Sequence, residues 1–174
     1  MSLMMLKGKN ILLRFVNNED APFIVNLRLN QGNLLSKTSS SIDLQMEWIK
    51  NYKEREKNKE EYYFIIEDKN NNRVGTIRMY DFTKDSFSWG SWLIIEGSPF
   101  YYSIESALLI YDFGFNNLKF NKSHFDVDKR NKSVLKFHLG MGAVIASESE
   151  KDFYFEYSKE KYQEIRVKYS RYLK

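Results

Sequence analysis

The 174-residue chain contains no cysteine. That excludes disulfide staples, thiol nucleophiles and thiolate metal sites, and it fits a reducing compartment, so a cytoplasmic location and no metal are expected. Long hydrophobic runs are missing as well. Lys, Asp, Glu or Asn interrupts every apolar stretch well short of the roughly 18 to 20 residues that span a bilayer, so no membrane association is expected. No signal-like leader opens the chain. Met1-Ser2-Leu3 ahead of Met4 resembles a cloning scar before a native start and is left out of fold reasoning. Internal repeats, low-complexity linkers and internal domain boundaries are also absent, and the length fits one domain over residues 1–174.

The formal charge is +4, but the basic residues are interleaved with acids, as in Lys53-Glu54-Arg55-Glu56-Lys57. A continuous basic stripe for nucleic acid is not formed, and no nucleic-acid partner is expected. A mild positive excess suits a polyanionic small ligand. Hydrophobic residues make up 43% of the chain and aromatics 16%, enough for a sizeable core rich in Tyr and Phe.

Asn10 to Phe15 reads as a first strand. Asn17-Asn18-Glu19-Asp20 then supplies a cap and acids for a helix that carries Pro22 in its opening turn and runs to about Asn30. A polar loop, Gln31 to Ser40, follows, with Ser39, Ser40 and Ser41 as cap candidates. The next helix places Ile42, Met46, Ile49 and the stem of Lys53 on one stripe and ends near Asn58. Strands Tyr62 to Glu67, Val74 to Asp81 and Phe87 to Ile95, separated by polar turns, predict an antiparallel meander. After Gly97-Ser98-Pro99 the period changes. Ile104, Leu108, Tyr111 and Phe115 then mark a buried helical face through about Leu118, which implies a crossover connection.

A short strand, Ser123 to Val127, precedes a helix from about Asn131 to Leu139 that Gly140 and Gly142 end. Ala143 to Ser147 and Phe153 to Ser158 read as a hairpin. A last helix, Lys159 to Lys174, sets Tyr162, Ile165, Tyr169 and Tyr172 on one side, either to cover its own sheet or to form a homodimer contact; monomer and homodimer both stay open. The order predicts an α/β (α+β) domain with a mixed, mostly antiparallel sheet of about seven strands flanked by helices on both faces.

Two segments make this element order resemble a family. Trp92-Leu93-Ile94-Ile95-Glu96-Gly97-Ser98-Pro99-Phe100-Tyr101-Tyr102-Ser103-Ile104-Glu105 is similar to the fourth strand, phosphate loop and helix start of the Gcn5-related N-acetyltransferases (GNAT), with Glu105 on the family's helix Glu. Pro99 and Tyr101 stand where that family usually has glycines. Asn131 to Ala143 resembles the family's Asn-x-x-Ala/Ser segment, with Gly142 at the family's interval and His138 at the usual Tyr position. Within the family the layout is similar to the ribosomal-protein N-terminal acetyltransferases and to the acetyltransferases of 4-amino sugar nucleotides in surface-polysaccharide pathways. The Leu35 to Tyr63 segment is closer in layout to the second.

The resemblance implies transfer of acetyl from the cosubstrate acetyl-CoA to a primary amine, a small-molecule acceptor such as a nucleotide-linked amino sugar. Backbone N–H groups of Tyr102, Ser103 and Ile104 would hold the pyrophosphate, and the strand at Leu93, Ile94 and Ile95 the amide-rich pantetheine arm, with Asn131 and Phe137 bordering it. An N–H of that strand would steady the oxyanion. His138 is the expected proton donor to the departing thiolate, because an imidazole can titrate near neutral pH. His124 is read as structural. Glu96 and Asp81 are both candidates for the base that neutralises the amine. Thr38, Ser39, Ser40 and Trp48 are the expected acceptor wall, the alternative being that the serines cap a helix and Trp48 is core. Acetylation of a protein N-terminus or other small-molecule amine, and a non-catalytic binding module suggested by the missing glycines, are the alternatives to amino-sugar acetylation.

Overall fold

The computed structural model describes residues 4–31 and 41–173. Thr38, Ser39 and Ser40 therefore lie outside the described residues. The chain opens with two short strands, β1 (Met5–Lys7) and β2 (Ile11–Phe15), which pair antiparallel. β1 brings the sheet to eight strands instead of about seven. A three-residue strand carries too little periodicity to be read from sequence, and it forms because β2 offers it a free edge.

The cap at Asn17 is present as expected. Its side chain accepts from Glu19 N–H at 3.0 Å while the Asp20 carboxylate accepts from Asn17 N–H at 2.8 Å. A 3-10 turn, Asn18–Asp20, leads into α1 (Ala21–Gln31). Ser41 caps α2 (Ile42–Lys57) through Leu44 N–H at 3.2 Å. The buried face of α2 is rotated from the expected stripe. Ile49 and Tyr52 are buried, whereas Ile42 and Met46 are exposed. Tyr52 wins because its hydroxyl accepts from Tyr63 N–H at 2.7 Å, which fixes the helix by both ring burial and a polar anchor.

The meander follows as β3 (Tyr62–Asp68), β4 (Arg73–Tyr80) and β5 (Ser86–Ile94). α3 (Tyr101–Asp112) then passes into a π-turn, Phe113–Asn117, in which Leu118 N–H reaches back to Phe113 O at 2.9 Å. β6 (Lys122–Asp128), α4 (Lys132–Gly140), β7 (Val144–Glu148) and β8 (Asp152–Ser158) complete the sheet. Gly142 takes φ +91° just past α4, a conformation a side chain would strain. The strand order is β1-β2-β3-β4-β5-β6-β8-β7, and only the β5–β6 pair is parallel.

Alternation along the strands gives each face its own core. Val16, Ala21, Ile24, Ile49, Tyr52, Tyr63 and Ile65 pack on the α1–α2 face. Phe64, Phe87, Trp89, Phe125 and Phe155 pack on the other with α3, α4 and the C-terminal turns. The last helix is α5 (Lys159–Arg166), continued by a 3-10 stretch, Val167–Tyr172, rather than one helix to the end. Tyr162 and Ile165 are buried, each worth roughly 1.5–3 kcal/mol. The threefold period of the 3-10 turn keeps Tyr169 and Tyr172 on the same side, against the main core. The helix therefore covers its own sheet.

Candidate active site

The site begins where β5 and β6 stop pairing. Their parallel ladder holds only at Ser86 with Lys122 and Phe87 with Ser123. Beyond that, each strand keeps its outer partner: β6 stays on β8 along its whole length, and β5 stays on β4. The inner edges separate, leaving unpaired backbone inside a sheet. His124 pins the closed end, because Ser86 Oγ lies 2.5 Å from its Nδ1 and Asp81 Oδ2 lies 2.8 Å from its Nε2. That chain of three side chains is structural, as expected for His124: it ties the start of β5 to β6, and the cavity does not reach it.

A bulge aims β5 at the opening. Its register on β4 shifts between Thr76 and Arg78, Ser91 adopts φ +46°, and Thr76 Oγ1 donates to Ser91 O at 2.8 Å to hold the kink. Gly90 is needed beside it, since a Cβ there would sit 2.9 Å from Tyr80 Oη. The resulting cavity, about 410 Å³, runs between Trp89 to Trp92 on β5 and Phe125 to Asp128 on β6, with Asn131, Val134 and His138 of α4 as its floor.

The three strand residues expected to bind the pantetheine arm are not equivalent. Ile95 N–H donates to Val74 O at 2.8 Å, so alternation turns the polar groups of Leu93 and Ile95 toward β4 and leaves those of Ile94 on the open edge. There the Gln31 side-chain amide, in the orientation its neighbours require, donates to Ile94 O at 2.6 Å and accepts from Glu96 N–H at 2.7 Å. An amide thus already sits on this edge in the way an amide-rich arm would.

Helix α3 starts at Tyr101, two residues before Ser103, without a side-chain cap. Tyr102 N–H is committed to Pro99 O at 3.1 Å, which leaves the Ser103 and Ile104 amides of the first turn facing outward. Trp92 is tied to this helix through Nε1 to Ser106 Oγ at 3.0 Å, and Phe137 packs edge-on against it at 5.1 Å. Phe137 therefore supports the cavity wall from behind. Asn131, whose side chain makes no cap bond to α4, lines the cavity directly.

His138 lies on the cavity floor, only 4% exposed, among Trp89, Phe125, Phe137 and Phe155. Its Nδ1 is buried with no hydrogen-bond partner. Burial among these rings pushes its pKa down to about 3, so the imidazole is neutral at physiological pH and does not titrate near neutrality. Buried polar atoms are nearly always paired, so the unpartnered Nδ1 of a ring that lines the cavity is an exception to that rule.

Neither expected base reaches the cavity. Asp81 is taken by His124, and Glu96 is exposed beyond the end of β5. Trp48 stands one layer back, stacked on Tyr52 with the Arg55 and Arg78 guanidiniums 5.3 and 5.2 Å from its ring. Arg78 lines the cavity and pairs with the buried Glu61 at 2.6 Å. Arg78, Tyr80, Asp126 and Asp152 are cavity residues that sequence reasoning missed, because only the splay brings β4, β6 and β8 side chains to one opening. Glu105, the family motif's helix acid, is fully buried and accepts from Asn10 N–H at 2.6 Å and Ile11 N–H at 3.1 Å. It anchors β2 to α3 and takes no part in the cavity.

The cavity is thus an opening between two parallel strands with a bulged strand beside it and α4 as its floor. The acetyltransferase (GNAT) domain model matches residues 10–144. The structure of apo FdhC, described as a nucleotide-linked sugar GNAT, is 45% identical, with a TM-score of 0.91 over 99% of both chains. The spermidine/spermine N-acetyltransferase SpeG of Vibrio cholerae is 22% identical with a TM-score of 0.72, covering 88% of this chain and 96% of SpeG. The ribosomal-protein-S5-alanine acetyltransferase of Vibrio fischeri is 16% identical with a TM-score of 0.76, covering 89% and 96%. Those last two share the fold. Comparison with curated proteins finds no match. The chain belongs to the GNAT acetyltransferase family and is an N-acetyltransferase.

Acetyl-CoA is the donor that family uses, and the cavity between the parted β5 and β6, lined by Trp92, Asn131 and His138, offers room for part of it, while the uncapped start of α3 lies outside that lining. Among the described residues, no group of three or more His, Asp and Glu is placed to hold a metal ion, and no helix is long and apolar enough to cross a membrane.

Proposed function

We propose that this enzyme acetylates the primary amine of a nucleotide-linked amino sugar in surface-polysaccharide biosynthesis. The likeness to the nucleotide-linked sugar GNAT, close in sequence and extending over nearly the whole of both chains, carries the reading. In support, the cavity is lined from α4 by Val134 and His138 and from the other face of the sheet by Asp126, so it borders both faces.

In this reading, the open edge at Ile94 holds the pantetheine arm as an added strand would, and the Ser103 and Ile104 amides at the start of α3 receive the pyrophosphate with the helix dipole behind them. Asn131 and Phe137 shape the wall near the thioester. The acceptor nitrogen attacks the carbonyl carbon, a C–N bond forms, and the C–S bond breaks. His138, neutral, serves as a hydrogen-bond donor through a ring N–H to the developing thiolate rather than as an imidazolium acid. The extra proton on the tetrahedral nitrogen neutralises the sulfur, so atoms and charge balance without a charged imidazole. Trp48, through Arg78, forms part of the acceptor wall.

The test is a thiol-release assay with acetyl-CoA and a panel of amines: nucleotide-linked amino sugars including 4-amino-4,6-dideoxy sugars, spermidine, and a peptide with a free N-terminus. Turnover with a nucleotide-linked sugar at least tenfold above the others is expected. Preference for the peptide or the polyamine would overturn the proposal.

A further inference from the structure

We propose that Asp126 is the base that receives the proton of the incoming ammonium group, with Asp152 the positioning residue that keeps Asp126 basic; this rests on the amine-acetyltransferase reading above. Strand alternation supplies the first argument. Phe125 and Val127 are buried toward α4 and His138, so Asp126 between them points to the opposite face of the sheet, where it lines the same cavity. The cavity thus has the His138 ring on one face and the Asp126 carboxylate on the other.

Elimination supplies the second. Asp128 also borders the cavity, but Arg130 binds both its oxygens, at 3.0 and 2.8 Å. Glu61 is shared by Arg55 and Arg78, and Asp81 by His124. Among the described residues, no Arg or Lys forms an ion pair with Asp126 or Asp152. The pair is therefore a negative locus that no ion pair neutralises on the amine side of the slot, which favours a cationic acceptor over a neutral one.

The groups that face Asp126 set its basicity. Asp152 and Lys151 approach from the β8 turn, His124 from its own strand, and Arg78 and Tyr80 from β4. Desolvation by these walls, with the Asp152 carboxylate second, raises the Asp126 pKa above the ordinary carboxylate range. A carboxylate so placed takes a proton from an ammonium group more readily than an exposed one. The ammonium loses one proton to Asp126 and becomes the nucleophile; its second proton leaves with the sulfur; the amide keeps the third. Asp126 returns its proton to solvent at the cavity mouth.

Two conservative variants test this, assayed by thiol release with acetyl-CoA and the panel's best nucleotide-linked amino sugar. Asp126→Asn is expected to lower kcat/KM for the amine by about 100-fold or more. The thermal shift produced by acetyl-CoA should be unchanged in that variant, which shows that the fold and donor site survive. Asp152→Asn is expected to move the acidic limb of the kcat/KM profile to lower pH, because removing a neighbouring negative charge lowers the Asp126 pKa. A merely structural Asp152 would scale the rate equally at every pH. Wild-type turnover in Asp126→Asn, or an acidic limb that persists there unchanged, would overturn the assignment while leaving the acetyltransferase reading intact. A wild-type enzyme that releases no thiol with any amine would overturn both.

Discussion

The Gln31 side-chain amide spans the open edge of β5, with its nitrogen 2.6 Å from Ile94 O and its oxygen accepting from Glu96 N–H at 2.7 Å. The end of α1 is thereby clamped to the strand proposed to hold the thioester arm. An arriving amide and the Gln31 amide compete for the same two backbone groups. Gln31→Ala should lower the melting temperature of the free protein by the equivalent of about 1–3 kcal/mol, since each of the two hydrogen bonds contributes about 0.5–1.5 kcal/mol net. Its affinity for acetyl-CoA should hold or rise. Calorimetric titration alongside a melting curve checks both, and a parallel loss of affinity would mean that Gln31 stays in place when the donor binds.

His138→Phe keeps the ring packing and deletes the orphan nitrogen. Turnover should fall by about 100-fold, with the acetyl-CoA thermal shift retained. Stability should respond in the other direction at acid pH. With a folded pKa of about 3 against an ordinary value near 6.5, the unfolded chain binds a proton that the folded one refuses. Stability from this group is therefore full above about pH 6.5 and lost as pH falls, by at most about 1.4 kcal/mol per pH unit. Urea unfolding between pH 7 and 4 should show a shallower loss in the Phe variant, and equal slopes would refute the buried neutral assignment.

Glu105→Ala orphans the buried N–H of Ile11 and that of Asn10. Each unsatisfied donor costs about 1–3 kcal/mol, together about 2–6 kcal/mol, so the melting temperature should drop by roughly 4–24 °C. The kcat/KM of the remaining folded enzyme should match wild type. A loss of kcat at constant stability would instead place Glu105 in the chemistry.

Trp48→Ala removes the ring on which Arg55 and Arg78 rest. A cation–π contact at a partly exposed site is worth about 0.5–1 kcal/mol. The acceptor KM should accordingly rise a few-fold while the acetyl-CoA KM stays constant. Steady-state kinetics with each substrate varied in turn decides the matter, and equal shifts in both constants would remove Trp48 from the acceptor wall.

Much of the architecture was legible because local signals agreed with the global fold. The Asn17 cap, the polar turns of the meander, the period change after Pro99 and the Gly142 stop each depend on a few adjacent residues, and each is found in the structure. The misses have physical causes. β1 is too short to show a period. The α2 stripe rotated toward Tyr52 because a hydroxyl anchored to Tyr63 N–H outweighs one more aliphatic contact. The C-terminal helix tightened to a 3-10 turn to keep Tyr169 and Tyr172 on the core.

What the amino-acid order by itself determined is the succession of strands and helices, the family motifs at Trp92 to Glu105 and Asn131 to Ala143, and the histidine inside the second of them. The chemistry around that histidine was decided only in three dimensions. Desolvation depends on which rings surround a group, and five residues from four segments, Trp89, Trp92, Phe125, Phe137 and Phe155, enclose His138 and keep it neutral. The opening itself exists because β5 and β6 hold their outer partners more extensively than each other, a balance of pairing energies that no short stretch of sequence contains.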